Sequence, residues 1–243
     1  LYDCAWDTDF SFTVPTNLRS GIYAAKLVDE QDNEEMIPFF VTAKKGKPQS
    51  RICVLIPSFT YTVYANIACG NTNKKMLERI KEWSASPWTT DNFPQFGLST
   101  YNYHSDGSGI SSSSRRRPIL TMRSNVISYP GVPGSGCRHF PADSHLWYWL
   151  TTKGYEFDVI TDDELHKYGL AAIEKYSVLL TCSHPEYHTP QSLNALQEYT
   201  NTGGHLMYLG GNGFYWKVAV SDVWPDAVEI RRGEGGIRAW ASE

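Results

Sequence analysis

The stretch YSVLLTCSHPEYHTPQSLNALQEY, residues 176–199, runs from an apolar segment through a knot of reactive side chains into a helical pattern. YSVLLTC is almost uniformly apolar, as expected of a strand buried on both faces of a parallel sheet. TPQSLNALQEYTNTGG places Pro190 near the first turn of a helix and glycines beyond its end. Between them stand Cys182, Ser183, His184, Pro185, Glu186 and Tyr187. A strand that feeds a helix is half of a βαβ unit, and the flanking sequence repeats the pattern. RICVLIP (51–57) is an apolar strand, HLWYWLTTKG (145–154) a helix closed by Gly154, and YEFDVIT (155–161) a strand. TDDELHKYG follows as a short helix capped by Thr161, and HLMYLGG (205–211) is a further strand. The alternation predicts an α/β fold with a doubly wound, mainly parallel sheet and helices on both faces.

Ligands of such sheets bind at the carboxyl ends of the strands. PSFTYTVYAN (57–66), the SHPEY run after Cys182 and GGNGFYW (210–216) all fall on that edge. Upstream, DFSFTVP, IYAAKLV and MIPFFVT alternate and are split by NLRSG and DEQDNEE, which predicts three short strands, the tail of a small β-sandwich-like module. The Lys/Gly/Pro linker AKKGKPQS (43–50) divides this β-rich segment, 1–47, from the α/β region, 48–243. Residues 66–140 are irregular and rich in Ser, Gly, Pro, Asn and aromatics, a composition suited to binding loops.

Composition excludes some classes. The 243 residues carry a formal net charge of −4, and SSSSRRRP (111–118) is the sole basic run, so nucleic acid is not an expected partner. No apolar run reaches the ~20 residues of a membrane span. The chain starts at Leu1 and stops at RAWASE, and we read it as an excerpt of a longer protein. Cys4, Cys53, Cys69, Cys137 and Cys182 show no CxxC spacing, which fits reduced thiols in a cytoplasmic protein. Eight Trp and fifteen Tyr exceed what a core needs and point to an aromatic-lined pocket.

The residues themselves leave several chemistries open. Cys182 or Ser183 with a histidine supplies the parts of a Cys/Ser hydrolase. Neighbouring side chains point apart, so the base would be His104 or His145 rather than His184, and no G-x-S-x-G elbow is present. The plainer reading makes Cys182 a buried small hydrophobe and Ser183 a turn former. His184 and Glu186 are two apart and share a side of an extended segment. Together they suit a ligand or metal; alternatively Glu186 caps the next helix or pairs with an arginine of 115–117. Tyr61, Tyr64, Tyr101 and Tyr103 are core residues by default. Two of them meeting one Glu would instead offer hard anionic oxygens, better matched to ferric iron than to zinc. Asn212, after two glycines, is placed either to bind an amide-like group or to sit in a left-handed turn. YHSDGSG lacks the acidic spacing of a calcium loop. A non-catalytic ligand-binding module also fits the aromatic excess.

Seven segments narrow this. TYTVYAN, STYNYHSDGSG, RRRPIL, FPADSHLWYWLTTKGYEFDVITDDELH, LTCSHPEYHT, GGHLMYLGGNGFYW and IRRGEGGIRAW occur in this order. From about residue 10 onward the chain resembles the large (beta) subunit family of N,N-dimethylformamidase. The resemblance implies a β-sandwich-like module followed by a glutamine-amidotransferase-like α/β domain. It implies metal-dependent hydrolysis of a small formamide, such as N,N-dimethylformamide, to amine and formate. The implied cofactor is one mononuclear ferric ion, Fe(3+), acting as Lewis acid. The matching ligands are Glu186 of HPEY, Tyr101 of YNYHSDG and Tyr64 rather than Tyr61, because VYAN fits the relatives' pattern. His184 and Asn212 match polar pocket residues, the first as proton carrier and the second as support for the oxyanion. Trp147, Tyr215 and Trp216 would form an apolar wall. A small helical partner subunit and a higher oligomer are also implied. The chain departs from the pattern at His188, where relatives usually carry Trp, and in ACGNTNKKMLERIKEWSASPW and SYPGVPGSGC.

Overall fold

The computed structural model describes residues 2–68, 74–86, 88–127, 137–214 and 216–230. Its elements run β1 (Gly21–Val28), β2 (Glu34–Val41), β3 (Ile52–Ile56), α1 (Ser58–Val63), α2 (Lys74–Glu82), β4 (Ser112–Ser114), α3 (Phe140–Thr152) and β5 (Asp158–Thr161). They continue with α4 (Asp162–Tyr168), β6 (Val178–Thr181), β7 (Tyr187–His188), α5 (Pro190–Asn201), β8 (His205–Met207), β9 (Trp216–Lys217), β10 (Ala219–Val220) and β11 (Ala227–Glu229).

The central sheet has four strands in the order β5-β3-β6-β8, every pair parallel. β3 is paired on both sides, so Cys53, Val54, Leu55 and Ile56 expose no more than 1% of their surface. Alternate residues serve opposite faces. Cys53 and Leu55 pack with Leu165 of α4 and with Ala195, Leu196 and Tyr199 of α5. Val54 and Ile56 pack with Trp147 and Leu150 of α3. Helices therefore cover both faces, as the strand–helix alternation predicts. Thr161 caps α4 and Thr189 caps α5, each in a reciprocal capping box, with Glu164 and Ser192 respectively. Those caps explain why both helices begin where the sequence places them.

Counted along the chain, the sheet order is second, first, third, fourth. The first and third strands, β3 and β6, are neighbours whose following helices leave on opposite faces. That is the switch point at which a crevice opens beyond the carboxyl ends. Smaller sheets close over it: β10-β11-β4 is antiparallel and β7-β9 parallel. Phe59, Val63, Tyr64, Tyr187, Trp216, Val218, Val228 and Ile230 form their common core.

Several sequence expectations need correction. DFSFTVP forms no strand, and only the antiparallel pair β1-β2 stands in that region. An alternating pattern makes a strand only where a partner supplies hydrogen bonds, and Phe10, Phe12 and Val14 remain exposed. Helix α3 begins at Phe140, five residues before the apolar pattern at His145, with Pro141 in its first turn. Strand β8 ends at Met207; Tyr208–Gly211 leave the ladder. The 66–140 region is not structureless, since it holds α2 and β4. Among the described residues Cys4, Cys53 and Cys182 are free thiols. No helix of the described residues is long and apolar enough to cross a membrane.

Candidate functional site

At the switch point two loops meet. Tyr64 caps the carboxyl end of α1, directly after β3, and Glu186 follows β6. The Tyr64 hydroxyl donates to Glu186 Oε2 at 3.2 Å and lies within hydrogen-bond distance of the Tyr101 hydroxyl, at 2.9 Å. The Tyr64 and Tyr101 rings stack, centroids 4.3 Å apart and 9° from parallel, which holds both hydroxyls at one end. Tyr101 in turn meets the Tyr187 hydroxyl in a short hydrogen bond. On the far side of the carboxylate, Asn212 Nδ2 donates to Glu186 Oε1 at 3.4 Å. Tyr64, Tyr101, Glu186 and Asn212 are thus brought together, with Tyr187 as an addition that sequence reasoning did not single out. Glu186 is 1% exposed, although the sequence had offered it the roles of helix cap or arginine partner. Arg115 pairs instead with Asp163 and Asp226, and Arg116 with Asp3. The guanidinium of Arg117 is spent on the carbonyls of Ser114, Phe96 and Gly97 and on Ser113 Oγ.

Local sequence explains this placement. Thr60 Oγ1 donates to the His184 carbonyl at 2.9 Å and accepts from the Glu186 amide at 3.4 Å, stitching α1 to the HPEY loop. Ser99 Oγ and Thr100 Oγ1 both donate to the Val63 carbonyl, at 2.8 and 3.1 Å, so LST delivers Tyr101 against the end of α1. Asn66 of VYAN takes a left-handed φ of 56° and is 2% exposed. It accepts from Leu120 N at 2.8 Å and donates to the Pro118 carbonyl at 2.7 Å, anchoring the insertion. Gly210 is needed for close approach. A Cβ there would lie 2.6 Å from the Ser183 carbonyl oxygen and 2.8 Å from that of Cys182. Gly211 N donates to that Ser183 oxygen at 2.7 Å. The first glycine thus serves contact between two loops, and Asn212 has no left-handed backbone; that conformation falls on Phe214.

Electrostatics follow from burial. Desolvation, with the neighbouring Tyr101 and Glu186, pushes the Tyr64 phenol far above its ordinary value. Tyr187 is pushed up in the same direction, chiefly by burial. His184 is held below its ordinary value by burial and by the Arg138 guanidinium, so its ring is neutral at pH 7. Its Nδ1 is buried and meets no hydrogen-bond partner among the described residues. His139, which the sequence gave no sign of, lies beside it. Its ring sits 4.3 Å from that of Tyr64 and 5.5 Å edge-on from His184. His139 has φ 53° and is 8% exposed, and Arg138 lies 4.8 Å over the Tyr64 ring.

The family model described as N,N-dimethylformamidase beta subunit-like, C-terminal, matches residues 1–243. The chain belongs to that family. It is 38% identical over 254 aligned positions to the N,N-dimethylformamidase beta subunit of Paracoccus aminophilus, covering 99% of this chain and 31% of the relative. The same figures hold for the N,N-dimethylformamidase beta subunit of an Alcaligenes species. The chain therefore spans about a third of the length of these relatives.

Other residues named from the sequence lie elsewhere in this dimethylformamidase-like chain. The Tyr61 hydroxyl points away from Glu186 and donates to Asp143 Oδ2 at 2.5 Å. Trp147, on α3, packs in the core against Val54 and Ile56, and Trp216 stacks on Tyr187 in the same cluster as Tyr64. Tyr215, the third member of the expected apolar wall, and most of IRRGEGGIRAW lie outside the described residues. Cys182 is 1% exposed in the α3-side core, and burial raises its thiol well above the ordinary value. Such a thiol stays protonated and is a poor nucleophile. Among the described residues no cluster of three His, Cys, Asp or Glu side chains could hold a metal. The oxygen set at the switch point differs from such clusters in its two phenols.

Proposed function

We propose that this chain carries the catalytic site of an amidohydrolase that cleaves the C–N bond of a small N-substituted formamide, N,N-dimethylformamide included, to amine and formate. The observation that carries this reading is the convergence of two phenol oxygens and one carboxylate at the switch point. The relatives' printed names supply the substrate class. The donor set fits a hard trivalent cation: three oxygens, three potential negative charges, no thiolate and no imidazole. Tyr64, Tyr101 and Glu186 would hold one ferric ion. When bound, such an ion supplies Lewis acidity towards a carbonyl oxygen and lowers the pKa of water.

The chain's own residues divide the remaining work. Because Tyr64 is held protonated by burial, loading the site is coupled to release of phenol protons. The hydrogen bonds from Thr60 fix the HPEY loop, so Glu186 is preorganised rather than recruited. His184, neutral at pH 7, is placed on the same loop to take a proton from the attacking water and return it to the leaving amine. Asn212 holds the second oxygen of Glu186, and that position beside the carboxylate suits its amide to supporting a developing oxyanion. The beta-subunit names of the relatives support a partner subunit, a small helical one by resemblance, within a higher oligomer. The buried, unbridged thiols of Cys53 and Cys182 support a reducing, cytoplasmic setting.

The test is metal analysis and a visible spectrum of the full-length protein, followed by assay of formamides for released amine. Near one iron per chain, with a broad band abolished in Tyr101→Phe, is the expected result. A colourless protein without stoichiometric metal that still hydrolyses amides would overturn the ferric site. A protein without turnover would favour a non-catalytic binding module.

A further inference from the structure

The hydroxyls and the carboxylate form a line: Tyr187, Tyr101, Tyr64, Glu186, Asn212. If the middle three hold a cation, the two ends remain beside ligand oxygens, Asn212 at Glu186 and Tyr187 at Tyr101. We propose that Tyr187 is a positioning residue of the site: its hydroxyl donates to the Tyr101 oxygen, fixing that ring and moderating the charge its oxygen offers a cation. The proposal rests on the ferric-site reading above and adds a residue to it.

Three observations carry it. Tyr187 is 0% exposed, so its hydroxyl must be hydrogen-bonded or incur the full desolvation penalty. A phenylalanine would fill the same space without that requirement. The fully buried Tyr199 resolves the same problem structurally, donating to the Tyr176 carbonyl at 3.0 Å. Tyr187 turns instead to a phenol of the site. Its aim is also rigid. Its backbone lies in β7, paired with Trp216 of β9, and Trp216 N donates to the Glu186 carbonyl at 3.1 Å. The Trp216 ring stacks on Tyr187 at 6.0 Å and 17°, while Tyr64 stands edge-on at 6.0 Å and 70°. Such a clamped ring cannot follow Tyr101; Tyr101, only partly buried, must follow it. Outer donors of this kind orient first-contact ligands and set their donor strength.

Tyr187→Phe removes one oxygen and little volume. In the iron-loaded full-length protein, the variant should keep its iron and fold. Its visible band should move, and turnover per iron should fall by about 10- to 100-fold. An iron-loaded variant whose band and turnover match the wild type overturns this proposal alone. A wild-type protein with neither iron nor band removes the ferric reading and this proposal together. If the variant does not fold, the unaltered protein answers by resonance Raman. A tyrosinate C–O stretch that shifts in D2O supports the donated hydrogen bond, and one that does not shift overturns it.

Discussion

Tyr61 and Tyr64 stand one turn apart on the same short helix, both buried, and each hydroxyl meets a buried carboxylate. The environments beyond the carboxylates differ. Asp143 receives Tyr61 at 2.5 Å on one oxygen and the backbone amide of Ser183 at 2.7 Å on the other. Its partners are close, and one is fixed backbone. Glu186 receives Tyr64 at 3.2 Å and Asn212 at 3.4 Å, both side chains and both longer contacts. The first arrangement is a clamp between α1, α3 and the loop after β6. The second is a set of oxygens that can release their protons to a cation without disturbing the backbone. The same two residue types thus serve as a structural tie in one place and as a candidate ligand set in the other.

The strongest way to break this comparison is Glu186→Gln. An amide keeps the size and can keep both contacts, accepting from Asn212 through its oxygen and donating to the Tyr64 oxygen through its nitrogen, but it loses the charge. Outer partners of metal sites cost about 10- to 100-fold, and a ligand itself should cost more. We expect iron and amide turnover to fall by more than about 100-fold, with the thermal midpoint little changed. Iron retained at one per chain would show Glu186 to be as structural as Asp143.

Gly210→Ala comes next, because it pushes apart the two loops that set His184 and Asn212. The added Cβ would meet the Ser183 and Cys182 carbonyl oxygens and Pro185 Cδ at 2.6, 2.8 and 2.8 Å, all on the facing loop. Overpacking of this kind costs about 3 kcal/mol. At roughly 2–4 °C per kcal/mol for a chain this long, the midpoint should drop by several degrees. Unlike Glu186→Gln, the variant should lose stability and activity together, and an unchanged midpoint would show that the loops have room to part.

How much of this was legible in the sequence follows from range. The parallel sheet was legible because its signals are local: apolar runs, Thr161 and Thr189 as caps, and helices of ordinary length. Glu186 was legible because a residue after a parallel strand has one edge to occupy. Tyr64 and Tyr101 were selected through resemblance, since 37 positions separate them and their meeting depends on Ser99 and Thr100 catching the Val63 carbonyl. No periodicity encodes such a tie. His139 and Tyr187 were missed for the same reason. Each is defined by what it faces across the fold, and a positive φ at a histidine leaves no mark in composition. DFSFTVP failed in the opposite direction, since its alternation was clear but no partner strand accompanied it.

Tyr61→Phe tests the structural side. It removes one hydrogen bond from a buried carboxylate, so stability should fall by about 1.5 kcal/mol in urea denaturation. Iron content and the visible band should stay as in the wild type. Loss of iron here, with Tyr64→Phe tolerated, would reverse the assignment of the two tyrosines.

The smallest effect sharpens the comparison through pH. Burial raises the Asp143 carboxyl above its ordinary value, outweighing the opposing hydrogen bonds from Ser183 and Tyr61. A carboxyl whose folded value exceeds its unfolded value binds more protons folded than unfolded. Its contribution to stability is therefore fully present below the unfolded value, about 3.8, and lost as pH rises through the folded value. Asp143→Asn removes the titration. Its carbonyl oxygen can still accept from Ser183 N, and its amide can donate to the Tyr61 oxygen. In metal-free protein, the stability of the wild type relative to this variant should decline as pH rises from 4 towards neutrality. Other buried acids, Asp162 among them, are present in both proteins and cancel in the difference. A difference that is flat with pH would mean Asp143 is as readily ionised folded as unfolded, and the clamp at Tyr61 would then be an ion held by its donors rather than a carboxyl held down by burial.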